Sequence, residues 1–214
     1  CSLSGYGQEG PLSRRAGHDL NYAAISGALA LNAKEGQAPI PFGVTIADLS
    51  GAMLAGLAIL SAVIGKQTTG NGAYLDMALF DGMLALTIPQ AGAAYFSGVP
   101  FAGGTLPLQG GLACYNIYET ADGKFLTLAA LEPPFWNDFC RVTGREDLVK
   151  RQFDRAIKVE VESIFKAKPL AEWLEAFSNT DGCVEPVLSF EEMLVHPQVK
   201  ARGFVREENG RAVG

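Results

Sequence analysis

Histidine is nearly missing from this 214-residue chain, which holds only His18 and His196. Charge is sparse too, at 19% of residues, with a net balance of -6. No run of Lys and Arg occurs, so the clustered cations that neutralise nucleic-acid phosphates are lacking and no nucleic acid is expected as a partner. The four cysteines, Cys1, Cys114, Cys140 and Cys183, contain no CxxC pair, which speaks against a zinc site or a redox pair; no metal is expected. They read as reduced, mostly buried thiols of a cytoplasmic protein. The glycine-rich stretches at 5–10 and 102–111 do not follow the phosphate-cradling patterns GxxxxGKS/T or GxGxxG in a strand-to-helix setting. They read as backbone space for a ligand or a covering loop. The longest apolar segment, Leu49 to Ile64, falls short of the roughly 20 residues that span a bilayer, so no membrane span is expected. Internal repeats and low-complexity tracts are absent.

What the chain does have is apolar content, 48% of residues, enough for a well-packed enzyme of one large domain or two small ones. An anionic cofactor remains compatible with the acidic balance, since helix N-termini or a few local cations hold phosphates. Cys1-Ser2-Leu3-Ser4-Gly5 reads as the end of a strand entering a glycine turn, and Phe204 to Gly210 as a strand running into a turn. The expectation is an internal piece of a longer protein.

Between these ends, residues 5–16 read as loop. A helix is expected from Asp19 to Leu31, and a second follows Thr45-Ile46-Ala47-Asp48, with Asp48 as its N-cap. That helix is expected to end near Gly65 and to be buried on most faces. Thr69-Gly70-Asn71-Gly72 is a turn, Ala73–Ala78 a strand, and Phe80–Tyr95 another apolar helix. Glycines and prolines then crowd 98–111, a composition shift that marks a domain boundary or a mobile loop. Beyond it, Ala113–Glu119 and Lys124–Ala129 flank Asp122-Gly123, a hairpin signal. Helices are expected over Pro133–Val142 and Pro169–Asn179, a strand over Cys183–Val187, and a short helix from Glu191 to His196 stopped by Pro197.

The residues able to do chemistry begin with Gly17-His18-Asp19-Leu20-Asn21-Tyr22. His18 exchanges protons near neutral pH. Asp19 beside it is either a helix cap or a nucleophile toward an activated acyl carbon. Asp48, at a helix start, sits where the dipole favours an ionised base. Glu132, in Leu131-Glu132-Pro133-Pro134-Phe135-Trp136, is either a solvated loop acid or a carboxyl partly desolvated by its apolar and aromatic neighbours, which would raise its pKa and suit a proton relay. His196 reads as a helix end without a catalytic role. These residue types leave two chemistries open, proton transfer and a covalent acyl intermediate.

Six stretches resemble the family III CoA-transferases, the CaiB/BaiF group, and within it the α-methylacyl-CoA racemases. They are SGYGQEGP at 4–11, GHDLNYAAISG at 17–27, IADLSGAMLAGLAIL at 46–60, TGNGAYLDMALFDG at 69–82, YNIYETADGKFLTLAALEPPFW at 115–136 and EPVLSFEEMLVHPQVKARGF at 185–204. The resemblance implies an α/β protein of the CoA-transferase family III fold that lacks the family's N-terminal α/β region. Residues 1–100 would be the C-terminal part of the large CoA-binding domain, 101–112 a Gly-rich linker, 113–196 a small α+β domain, and 197–214 a return segment toward the large domain. Transferases of the family usually carry an aromatic residue before the nucleophilic Asp, whereas the racemases carry Gly-His-Asp, as here. The resemblance therefore implies epimerisation at the α-carbon of 2-methylacyl-CoA thioesters by two-base proton transfer through an enolate. His18 would be one acid/base and Asp48, backed by Glu132, the other. Gly17, His18, Asp19, Leu20, Asn21 and Tyr22 would line the thioester site. Coenzyme A would enter only as part of the acyl-CoA substrate, with no covalently bound cofactor. The resemblance further implies an interlocked homodimer with active sites between subunits, so that 1–214 alone would not complete a site. The rival readings are CoA transfer between carboxylic acids through an Asp19 anhydride, and a non-catalytic CoA-thioester-binding subunit.

Overall fold

The computed structural model describes residues 1–97, 101–208 and 211–213. The expected turn at Asn209-Gly210 and the first three residues of the 98–111 stretch lie outside them. The chain divides into two compact units, Cys1–Gln109 and Gly110–Gly214.

In the first unit a short strand, β1 (Ser2–Ser4), pairs in parallel with β2 (Asp76–Ala78), Leu3 opposite Met77. Parallel pairing demands a crossover, and three helices supply it: α1 (Asp19–Ile25), α2 (Ala28–Leu31) and α3 (Ile46–Thr69). The helix expected over Asp19–Leu31 is thus two helices. Gly27 adopts φ 82°, a left-handed conformation open to glycine, and this breaks the run. Helix α3 starts at Ile46 with Thr45 as N-cap, so Asp48 is its third residue rather than its cap. It also runs past Gly65 to end at Gly70, where φ is 75° and the Gly70 amide donates to the Lys66 carbonyl. Helix α4 (Leu79–Ser97) follows β2 directly.

The α3–α4 crossing is set by two glycines. A Cβ on Gly51 would lie 2.7 Å from Leu79 Cα, and one on Gly82 would run into the Gly51 backbone. The small core here gathers Tyr22, Ala23, Ala28, Ala47 and Met83. Beyond that crossing α3 is not the buried helix its composition suggests. Met53, Leu57, Leu60 and Ile64 are all exposed, and only 17% of its most apolar window is buried. At 24 residues and a mean hydropathy of 1.9 it is long and apolar enough to cross a membrane by length and composition. The shorter Leu49–Ile64 reading understated its length.

The second unit is built on an antiparallel sheet. Strands β3 (Tyr115–Glu119) and β4 (Phe125–Ala129) form the hairpin expected around Asp122-Gly123, with Gly123 at φ 75°. Its sheet gains β5 (Val184–Pro186) on the far side of β4. Helices α5 (Pro133–Thr143), α6 (Lys158–Phe165) and α7 (Leu170–Phe177) bury Trp136, Phe139, Val161, Phe165 and Trp173 in one core with Tyr118, Leu126 and Leu128 of the sheet. The indole of Trp136 donates to the Leu148 carbonyl at 3.0 Å and that of Trp173 to the Phe165 carbonyl at 2.9 Å, so both large rings bury without leaving a donor unpaired. Two short helices, α8 (Phe190–Val195) and α9 (Pro197–Ala201), come next. Pro197 starts α9 instead of merely stopping α8, since a first-turn proline lacks only an amide that would have no helical partner. His196 joins them, its Nδ1 accepting from the Gln198 amide at 3.2 Å. A final antiparallel pair, β6 (Arg206–Glu208) and β7 (Arg211–Val213), closes the described chain. All four cysteines are free thiols.

Candidate functional site

The Gly17–Tyr22 segment is the loop-to-helix junction at the start of α1. His18 is the N-cap, in extended conformation (φ -129°, ψ 174°), and Asn21 one turn later accepts the His18 amide on its Oδ1 at 3.0 Å. This backbone brace leaves the His18 side chain exposed. Leu20 and Asn21 are exposed as well.

Tyr22 behaves differently from its neighbours. It is 3% exposed, and its hydroxyl donates to the Gly17 carbonyl at 2.6 Å. Its ring meets Tyr6 edge-to-face at 5.0 Å, and Tyr6 in turn contacts Phe80 at 5.9 Å. Gly17 is required for space: a Cβ there would fall 2.9 Å from both the Tyr22 ring and the Tyr6 hydroxyl. Burial, then Tyr6 and the carboxylate of Asp48, hold the Tyr22 phenol above its ordinary pKa, so it remains the donor. Tyr22 thus supports the His18 loop from within the core, a role the motif alone did not reveal. Tyr6 was not singled out at all; an aromatic between two loop glycines, Gly5 and Gly7, was the available signal.

Asp19 opens α1 but its carboxylate serves α3. Its Oδ1 accepts from the Ala47 amide at 2.6 Å and from the Asp48 amide at 3.1 Å. These are the second and third residues of α3, the donors an N-cap side chain normally satisfies. Thr45, the local N-cap, makes no side-chain cap bond. The starts of α1 and α3 are therefore joined through one carboxylate, which holds the Asp48 amide and belongs to the residue after His18. Asp19 and Asp48 are both partly exposed.

Glu132 lies in the other unit, as N-cap of α5, without a side-chain cap bond. The two following prolines offer no amide to it, and it is exposed, which is the solvated of its two alternatives. Its charge acts on Cys183, whose thiol is pushed up by burial first and then by Glu132, Asp181 and Glu185. Cys183 also holds a strained positive φ of 50°.

Chemically, the α1–α3 junction offers an imidazole and a carboxylate at two helix starts, where amide dipoles favour developing negative charge. No group of three or more His, Cys, Asp or Glu side chains suited to a metal ion occurs among the described residues.

Comparison with known proteins adds to this geometry. The sequence profile described as CoA-transferase family III matches residues 1–212. α-Methylacyl-CoA racemase from Homo sapiens is 34% identical over 213 residues, covering 96% of this chain and 56% of its own length. Succinate–glutarate CoA-transferase from Agrobacterium fabrum is 31% identical, covering 95% of this chain and 53% of its own. A CAIB/BAIF family protein from Brucella suis, known from a crystal structure, superimposes with a TM-score of 0.80 at 26% identity, over 99% of this chain and 58% of its own. The chain thus spans just over half the length of these relatives.

Proposed function

Because the chain belongs to CoA-transferase family III, we propose that it carries the proton-transfer residues of an acyl-CoA racemase acting at the α-carbon of 2-methylacyl-CoA thioesters. The observation that carries this reading is that the helix starts bearing His18, which is exposed, and Asp48, which is partly exposed, are joined through the Asp19 carboxylate. A thioester acidifies its α-C–H. One group takes that proton to give an enolate and the other returns a proton to the opposite face, a task for one acid/base on each face. The amides at the α1 start are suited to the enolate charge. We assign Glu132 a supporting acid/base role, and Gly17 to Asn21 the border of the thioester. Coenzyme A is part of the substrate. The working protein is a homodimer, interlocked, in the cytoplasm.

The test is stereochemical. The intact protein, given one pure enantiomer of a 2-methylacyl-CoA, is expected to generate the other, read by chiral separation. A second reading, CoA transfer between carboxylic acids through an anhydride on Asp19, is favoured by the 31% identity to a succinate–glutarate CoA-transferase. It predicts no epimerisation, delivery of CoA to a free carboxylate, and an Asp19 hydroxamate on trapping with hydroxylamine.

A further inference from the structure

We propose that Asp19 is a positioning residue for Asp48, acting through the first turn of α3 and not as a nucleophile; this rests on the racemase reading above. Three observations converge. The Asp19 Oδ1 accepts both the Ala47 and Asp48 amides, from 28 and 29 residues away in the chain. The local cap residue, Thr45, leaves that work undone. Asp19 also immediately follows His18, so one side chain spans the peptide that carries the imidazole and the amide that carries the second carboxylate.

The consequence is geometric. Asp48 is the third residue of α3, and the direction in which its side chain leaves the helix depends on a formed first turn. Without an acceptor, the Ala47 and Asp48 amides fray toward water and Asp48 moves relative to His18. Covalent use of Asp19 would oppose this function. A bond from acyl carbon to Oδ1 removes the acceptor, and a bond to Oδ2 converts Oδ1 from a carboxylate oxygen into a weak anhydride carbonyl acceptor. Either way the cap that sets Asp48 is weakened when the acyl group arrives.

Asparagine separates the two roles. Its Oδ1 caps about as well as that of aspartate, yet it cannot form the anhydride. In the intact protein, epimerisation of a 2-methylacyl-CoA, followed as α-deuterium taken up with inversion in D2O, should stay within about tenfold of wild type for Asp19→Asn, and fall about 100-fold for Asp19→Ala through kcat, with KM little moved. A second readout is independent of activity: amide exchange across residues 46–49 should speed up by about 2- to 30-fold in Asp19→Ala and stay protected in Asp19→Asn. Rescue by Asn in both readouts supports the positioning role. An Asp19→Asn variant as slow as Asp19→Ala in epimerisation, or unchanged amide protection in Asp19→Ala, overturns it. A wild-type protein that exchanges no α-proton would refute the racemase reading, and the amide readout would still decide whether Asp19 caps α3.

Discussion

Replacing Tyr22 by Phe asks whether the His18 loop is held from the core beneath it. In the wild-type chain the Tyr22 hydroxyl donates to Gly17, the residue just before His18, at 2.6 Å. Phe retains the ring, so the edge contact with Tyr6 at 5.0 Å survives and the loss is confined to the O–H. A hydrogen bond of this kind contributes about 0.5–1.5 kcal/mol net, and a carbonyl left without a partner adds a desolvation cost. Gly17 is only half-buried, so water relieves part of that cost, and the expected loss of stability is about 1–2 kcal/mol. The gap should also depend on pH in one direction. Burial raises the folded-state phenol pKa above its ordinary 10.0, so the wild-type advantage is fully present below that value and is lost as pH rises through the raised one. Urea denaturation of both proteins at neutral pH and again above pH 10 measures it. Equal stability at neutral pH, or a gap that does not shrink in alkali, would refute the account of this loop.

Other expectations follow from the packing. Gly51→Ala places a methyl 2.7 Å from the Leu79 backbone, so α3 and α4 must separate, at a cost of about 1–3 kcal/mol visible in thermal melting. Trp136→Ala empties a fully buried site and strands the Leu148 carbonyl, and should destabilise the second unit by about 3–5 kcal/mol in denaturant titrations. Glu160 bridges Arg145 and Arg151, whose guanidinium groups hold its carboxyl below the ordinary 4.5. Its contribution is present above that value and lost as pH falls through the lowered one, so Glu160→Gln should flatten the acid limb of a stability–pH curve, and an unchanged limb would count against the network.

How far the sequence reached depended on whether a signal was local. The β3–β4 hairpin was readable because Asp122-Gly123 dictates its own turn, and the start of α5 because Pro133 and Pro134 occupy its first turn. The split of α1 from α2 was missed because Gly27 sits inside an otherwise helical composition and only its observed φ reveals the break. Helix α6 was missed altogether: its buried Val161 and Phe165 form a short stripe amid Lys158, Glu160 and Glu162. At the candidate site, the residue types were legible and their connections were not. Asp48 looked like a cap because Asp is a preferred cap type, yet the α3 cap comes from Asp19, a pairing that no local pattern encodes. Burial of α3 was overestimated because composition reports how apolar a helix is and not how much of it the described chain covers.

If His18 and Asp48 are the two acid/base groups, exchange at the α-carbon reports on each of them. Each pure enantiomer of a 2-methylacyl-CoA, incubated in D2O with the intact wild-type protein, should take up α-deuterium, read by mass spectrometry. His18→Ala and Asp48→Ala should each lose uptake, by about 100-fold or more, from the one enantiomer whose α-proton the removed group takes, and conversion between enantiomers should collapse in both. Undiminished uptake from both enantiomers in either variant, or no uptake by a wild-type protein that binds the thioester, would contradict the two-base account.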